Sequence, residues 1–285
     1  MPAPQWKSFA GVTLLVLAML VALARASQSS LSAPESPDGD PPGRTGAPAR
    51  EDGTATSEPP ASDDEASDDE ASDDRPTGDG ETGREATGDR DATVRETLTP
   101  ELLLVNVAVS QGLFGAVLVA AAWVGSVPPG ALGVGTVTLR TLALGVAVGV
   151  ALFAANELGQ HVADALGIDY AEGMRELLTP DSARGWVVLL FLVLPIIAGF
   201  EELLFRGALI GAFAAGFGVS PWLLAAGSTV AFALGHGAQG PGGILVTGLL
   251  GGALAAVFVL TESLPVVVVA HYLVNALEFT VHARD

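Results

Sequence analysis

A series of long apolar segments constrains what this chain can fold into. From residue 98 onwards, stretches made mainly of Leu, Val, Ala and Gly follow one another, separated by short breaks containing Gly and Pro. A helix of roughly 20 apolar residues crosses the hydrocarbon core of a bilayer, and in lipid each backbone polar group must be bonded internally. The sequence therefore predicts an all-α fold, a polytopic transmembrane helical bundle.

Six apolar spans are predicted within a membrane domain at residues 98–285. They cover residues 102–124, 132–155, 186–210, 222–235, 244–260 and 264–281. The stretch 157–184 mixes acidic and apolar residues and is too polar to span, so we expect one or two interfacial amphipathic helices there.

An apolar segment at residues 9–24 precedes this domain, between Lys7 and Arg25. It is short for a membrane span, and Arg25 lies between two alanines that resemble a signal-peptide cleavage site. Residues 1–26 are therefore either an uncleaved hydrophobic anchor, which we favour, or a signal peptide.

Residues 27–97 are predicted to be a disordered acidic linker. From Ser32 to Thr93 the chain contains no Val, Ile, Leu, Met, Phe, Trp or Tyr, so this segment cannot bury enough apolar surface to fold. Most of the net charge of −19 belongs to this linker. The charge is thus no guide to the partners of the membrane domain.

Three clusters of polar residues lie inside the apolar C-terminal half. They are Glu201-Glu202 with Arg206, Phe232 with His236, and His271 with Asn275. A charged side chain at bilayer depth costs at least a few kcal/mol, so such residues are candidates for function. A single His or Asn would be taken as a hydrogen-bonding contact between helices, but six such polar residues in successive segments favour a functional site.

Helical spacing divides the two glutamates. Glu202 and Arg206 are four residues apart and can pair on one face of a helix. Glu201 is rotated by about 100° from Glu202 and has no partner on its own helix. A desolvated carboxylate without a nearby cation accepts a proton readily, as a general base must.

His271 and Asn275 are also four residues apart, so an imidazole and an amide share one helical face. Such groups could donate hydrogen bonds to a developing oxyanion. An imidazole beside Glu201 could help to deprotonate a water molecule. These residue types together suit a hydrolase that activates water to cleave an amide bond.

Several other hydrolase classes are excluded. There is no Cys, no His-Glu-x-x-His and no Gly-x-Ser-x-Gly, and no Asp lies within an apolar span. The sequence Gly218-Val219-Ser220-Pro221 weakly resembles the Gly-x-Ser of rhomboid serine proteases, but its proline and its position between spans argue against that reading.

The three polar clusters resemble the three motifs of a known family. Glu-Glu-x-x-x-Arg at 201–206, Phe-x-x-x-His at 232–236 and His-x-x-x-Asn at 271–275 are similar to those of the CAAX-protease and bacteriocin-processing (CPBP, or Abi) family. That family includes the eukaryotic type II CAAX prenyl endopeptidase. The resemblance covers roughly residues 180–281. It implies a multi-pass protease of the cell membrane that acts on membrane-associated peptides or proteins, with membrane lipid and no nucleic acid as further partners.

The resemblance also implies a role for each motif residue. Glu201 and His236 would activate water, and His271 and Asn275 would form the oxyanion site. Glu202 and Arg206 would be a supporting pair. Family members have been described both as metalloproteases and as metal-independent glutamate proteases. No obligatory cofactor is expected here; a divalent metal such as zinc, if bound, would be held by Glu201, His236 and His271.

A non-catalytic membrane transporter or scaffold is the alternative from another class. Intramembrane Glu, Arg and His also line ion and proton paths. The amide donor suited to an oxyanion, and the lack of an obvious internal repeat, favour the protease. A catalytically dead member of the family that binds peptides is a third reading, which the intact motifs argue against.

Overall fold

The computed structural model describes residues 3–31, 100–165, 179–237 and 240–283. All regular secondary structure within these ranges is helical, which confirms the predicted all-α class. The described residues belong to one compact unit. Residues 32–97 of the predicted linker lie outside the described residues.

Seven helices, together with one short 3₁₀ turn at Pro129–Leu132, make up the described part of the chain. They are α1 (Trp6–Leu31), α2 (Pro100–Val124), α3 (Leu139–Ala165), α4 (Ala183–Phe217), α5 (Pro221–Gly235), α6 (Gly240–Thr261) and α7 (Leu264–Val281).

Six of these helices are long and apolar enough to cross a membrane, which confirms a multi-pass membrane protein. The exception among the described helices is α5, which has 15 residues. The span predicted at residues 222–235 is therefore corrected to a short apolar helix. A helix of this length does not cover a hydrocarbon core of about 30 Å. His236 directly follows its last residue, Gly235.

The boundaries of α3 also differ from the predicted span at 132–155. Leu132 lies in the 3₁₀ turn, and α3 continues to Ala165. Its polar end is stabilised by α7, because the amides of Asn156 and Gln160 donate to Glu278 at 3.1 and 3.0 Å. Part of the predicted interfacial stretch is thus the end of α3, and residues 166–178 lie outside the described residues.

The N-terminal helix α1 packs into the same core as the membrane domain. Phe9 is grouped with Ala208 and Ala212 of α4, and Val16 packs in a cluster with Leu204. The apolar part, Trp6–Ala26, is longer than the predicted 9–24 and suffices to span. This packing supports a retained anchor, which stays a prediction. The helix ends at Leu31, beyond the predicted boundary at residue 27.

Helix α4 lies at the centre of the bundle and contacts α1, α2, α5, α6 and α7. The apolar pattern of its sequence does not reveal that two parts of this helix are π-helical, at Leu189–Val193 and Leu203–Ala212. Pro195 follows the first π segment and has no backbone N–H to donate, which accounts for the irregular bonding there. The second π segment begins directly after Glu202, and π turns are frequent at functional sites.

We expect Gly149→Ala to destabilise the bundle, because α3 and α7 meet at this residue. A Cβ at Gly149 would lie 3.0 Å from the carbonyl oxygen of Ala270 and 3.0 Å from Cβ of Leu273, so one helix would have to move. Such overpacking costs about 1–3 kcal/mol. The melting temperature in detergent should fall.

Gly159→Ala is the matched control on α3. A Cβ there has no neighbour within 4 Å, and alanine favours the helix more than glycine does. Its melting temperature should equal or exceed that of the wild type. Equal melting temperatures for the wild type and Gly149→Ala would contradict the close packing of α3 on α7.

Candidate active site

Helix α4 carries the two carboxylates and the arginine into the protein interior. Glu201 and Glu202 end the α-helical segment Leu194–Glu202, and Arg206 lies in the π segment that follows. Their exposed fractions are 7% for Glu201, 0% for Glu202 and 1% for Arg206. Three ionisable groups are therefore buried within six consecutive residues of a candidate membrane span.

The structure contains the Glu202–Arg206 pair that the spacing predicts. Nη1 of Arg206 donates to Oε1 of Glu202 at 2.9 Å. The guanidinium also donates from Nη2 to the carbonyl oxygen of Gly251 at 2.7 Å, and its carbon lies 4.8 Å from the ring centroid of Phe232. Arg206 thus binds a carboxylate, a backbone carbonyl of α6 and an aromatic face, which together offset the cost of burying its charge.

His271 of α7 contacts both glutamates. Its Nδ1 lies 2.7 Å from Oε1 of Glu202, and its Nε2 lies 3.7 Å from Oε2 of Glu201. An ionised carboxylate can only accept, so Nδ1 carries the hydrogen in this contact. In the neutral imidazole the lone pair then lies on Nε2, on the side of Glu201, whereas the protonated imidazolium bridges two carboxylates.

His236 is at the C-terminal end of α5. Its Nδ1 lies 2.9 Å from the carbonyl oxygen of Phe232, and this contact also places the hydrogen on Nδ1. Within the described residues His236 forms no ion pair with Glu201, although the family resemblance pairs these two residues. The imidazole that the structure places against Glu201 is that of His271.

The ring of Phe232 lies near both imidazoles. Its centroid is 4.6 Å from that of His236 and 6.2 Å from that of His271. It also meets the ring of Phe205 edge to face at 5.0 Å. Phe232 therefore connects the histidine of α5 to the cluster on α4 and α7 by packing alone.

Asn275 follows His271 by one turn of α7 and is half-buried. Its amide makes no hydrogen bond to any residue that the structure describes. The amide is consequently available to a ligand, but no contact here brings it together with the glutamates.

Two atoms of the central pair remain without a hydrogen bond among the described residues. They are Oε2 of Glu202 and Nε of Arg206, both buried. A buried polar atom left unsatisfied costs about 1–3 kcal/mol. A cluster retained only to join helices would not be expected to keep such atoms, so the arrangement favours a functional role.

The residues expected to hold a metal do not fit that role in this arrangement. Among the described residues, three potential ligands bring donor atoms within 4.8 Å of one another at Glu157, Glu278 and His282, and not at Glu201, His236 and His271. In the active-site cluster, both atoms in contact with Oε1 of Glu202 are hydrogen-bond donors.

Sequence reasoning missed two contacts of this site. The Gly251 carbonyl leaves no signature, because its glycine is read as one of many small packing residues. The bridge from His271 to Glu202 joins residues 69 positions apart, and no helical spacing relates them. The sequence did, however, predict one of the two donors to Glu202, because Arg206 follows it by four residues.

The comparison with family models matched residues 183–277 to the model described as "Type II CAAX prenyl endopeptidase Rce1-like". This segment runs from the start of α4 into α7 and includes all the motif residues. Comparisons with curated proteins and with solved structures gave no match. The match confirms the resemblance drawn from the three motifs, and it covers residues 183–277.

Proposed function

We propose that this protein is an intramembrane endopeptidase that cleaves membrane-associated peptides or proteins with water activated by Glu201. The observation that carries the proposal is the buried contact of His271 with both Glu201 and Glu202 inside membrane-spanning helices. The Rce1-like match supports proteolysis of the CAAX-protease type at the level of the family. We further propose that the protein acts in the cell membrane.

The neighbours of the two glutamates suggest different roles for them. Glu202 accepts from Arg206 and His271, so its Oε1 is already occupied by two hydrogen-bond donors. Glu201 has no hydrogen-bond donor among the described residues, and its near contact is Nε2 of His271. Glu201 is therefore the carboxylate that is open to a water molecule, and Glu202 orients His271.

The proposed reaction begins with a water molecule beside Glu201. The water oxygen attacks the carbonyl carbon of the scissile peptide bond, and one water proton passes to Glu201. The carbonyl oxygen becomes an oxyanion that accepts a hydrogen bond from the amide of Asn275. Nε2 of His271 donates a second hydrogen bond to it when the imidazole is protonated. The carbon–nitrogen bond then breaks as the leaving amine takes a proton from Glu201.

His236 assists Glu201 in this scheme by binding the attacking water. Because its Nδ1–H donates to the carbonyl of Phe232, the Nε2 lone pair is available to accept a hydrogen bond from the attacking water. This role follows the family resemblance.

The function is tested by comparing peptides from the membranes and medium of cells that carry either the wild type or Glu201→Gln. If the protein is a peptidase, at least one substrate should show a new terminus in cells with the wild type and lack it in cells with Glu201→Gln. The same cleavage should be reproduced by the purified protein with a synthetic peptide. Identical termini in both strains would contradict the proposal, and a solute flux lost in the variant would favour the transporter.

We expect Glu201→Gln to abolish cleavage without unfolding the protein, because the amide is nearly isosteric but cannot take a proton from water. Glu202→Gln should instead destabilise the protein by about 3–5 kcal/mol, because it breaks a buried ion pair with Arg206. Cleavage rates and melting temperatures in detergent measure both effects. Retained activity in Glu201→Gln, or equal destabilisation by the two changes, would refute the division of roles.

Asn275→Ala should lower kcat by roughly 10²–10³ with little change in KM, because an oxyanion donor acts mainly in the transition state. The melting temperature should change little, since the amide bonds to no described residue. Steady-state kinetics with a peptide substrate found in the comparison of cells give both constants. A variant with normal kcat and raised KM would assign Asn275 to substrate binding instead.

We expect the purified protein to contain no stoichiometric divalent metal and to keep its activity after dialysis against a chelator. The physical reason is that Glu201, His236 and His271 do not bring three ligand atoms within coordination reach. Elemental analysis beside the kinetics decides this. A stoichiometric metal that disappears in both His236→Ala and His271→Ala would overturn the metal-free scheme and keep the peptidase.

A further inference from the structure

We propose that Gly251 of α6 is a positioning residue for the site on α4, α5 and α7. It acts through its carbonyl oxygen, which holds Arg206, and through its missing side chain, which admits the ring of Phe232. The meaning of this role for catalysis rests on the function proposed above. The placement of the residues themselves can be tested without a substrate.

The carbonyl of Gly251 fixes one end of the arginine. Nη2 of Arg206 donates to it at 2.7 Å, while Nη1 donates to Glu202 at 2.9 Å. A carbonyl oxygen has two lone pairs, so this bond can coexist with helical bonding in α6. The guanidinium is planar and rigid, so two such bonds set both its position and its plane.

The missing side chain of Gly251 allows the backbone of α6 to approach the aromatic ring. A Cβ at Gly251 would lie 2.7 Å from Cδ1 and 3.3 Å from Cε1 of Phe232, and 3.5 Å from Nη2 of Arg206. Carbon atoms in contact are normally about 3.5–4.0 Å apart. All three of the nearest atoms thus belong to the site, and a methyl group would push on Phe232 first.

The ring of Phe232 is enclosed by other side chains. It is 1% exposed, with Phe205 against its edge at 5.0 Å and the guanidinium of Arg206 at 4.8 Å from its centroid. The centroid of the His236 imidazole lies 4.6 Å from the centroid of the Phe232 ring. A displaced ring must therefore push against Phe205, Arg206 or His236, and two of these three residues belong to the site.

Gly252 is a matched control in the same helix. A Cβ there would lie 3.5 Å from Cγ2 and 3.8 Å from Oγ1 of Thr229, which are ordinary van der Waals distances. Gly251→Ala and Gly252→Ala thus make the same chemical change one residue apart. They differ in whether the new methyl group meets the site.

The first experiment compares the full chain and these two variants in detergent by nitrogen NMR of the histidine side chains. The protein has four histidines, and His236→Ala and His271→Ala variants assign the two signals of the site. We expect Gly251→Ala to shift the signal of His236 or His271, and Gly252→Ala to leave both in place. Unchanged signals in Gly251→Ala would overturn the proposal.

The second experiment measures cleavage of the peptide identified above. A misplacement of about an ångström can cost on the order of 10²-fold in rate, so Gly251→Ala should lose roughly that much in kcat while Gly252→Ala stays near the wild type. Equal rates for all three would overturn the positioning role. If the wild type cleaves nothing while the NMR shifts are seen, the proposed function fails and the placement by Gly251 stands.

A double variant covers the case in which Gly251→Ala does not fold. Phe232→Ala removes Cδ1 and Cε1, the two ring atoms that a Cβ at Gly251 would meet. Gly251→Ala should therefore fold in the Phe232→Ala background and destabilise that variant less than it destabilises the wild type. Such non-additivity is the mark of residues in direct contact. A double variant that is additive, or that also fails to fold, would show that the ring is not what Gly251 accommodates.

Discussion

The arrangement of this site depends on one oxygen atom, Oε1 of Glu202, which accepts from both Arg206 and His271. Two donors on a single buried acceptor join α4 to α7, and the arginine carries the connection on to α6 through a carbonyl. Charge-assisted hydrogen bonds are about twice as strong as neutral ones, and more so away from water. Three helices are thus held in register by one small polar network, while apolar contacts supply the surrounding packing.

This network also explains why two adjacent glutamates differ. Neighbours along a helix point in different directions. Glu202 points towards its donors Arg206 and His271, whereas Glu201 points towards Nε2 of His271 and accepts no hydrogen bond from a described residue. The π segment after Glu202 changes the rotation per residue at this point, so the residues downstream meet their neighbours in a different register from that of a regular helix. Local backbone geometry therefore determines, together with residue identity, which side chains meet in this cluster.

The sequence was sufficient for those parts of the fold that depend on local pattern. Apolar length predicted the helical bundle, and the spacing of Glu202 and Arg206 predicted their pairing. It was insufficient where a partner lies far along the chain. The end of α3 depends on Glu278, the contact of His271 with Glu202 depends on how α7 lies against α4, and neither leaves a periodic signal. For the same reason spacing could not tell which imidazole lies against Glu201. The structure places His271 there, and the role of His236 in activating water stays a prediction.

The packing of α1 has a consequence for the acidic segment that follows it. Helices α1 and α2 contact each other, so the chain between Leu31 and Pro100 joins two helices that pack together. The composition of this segment predicts a flexible connection, for which each doubling of length adds only about 0.6 kcal/mol to the free-energy cost of closure. Its length is accordingly a weak constraint on folding. Repeats of acidic residues can be gained or lost there under selection for solubility or surface charge, while the bundle is left thermodynamically almost untouched.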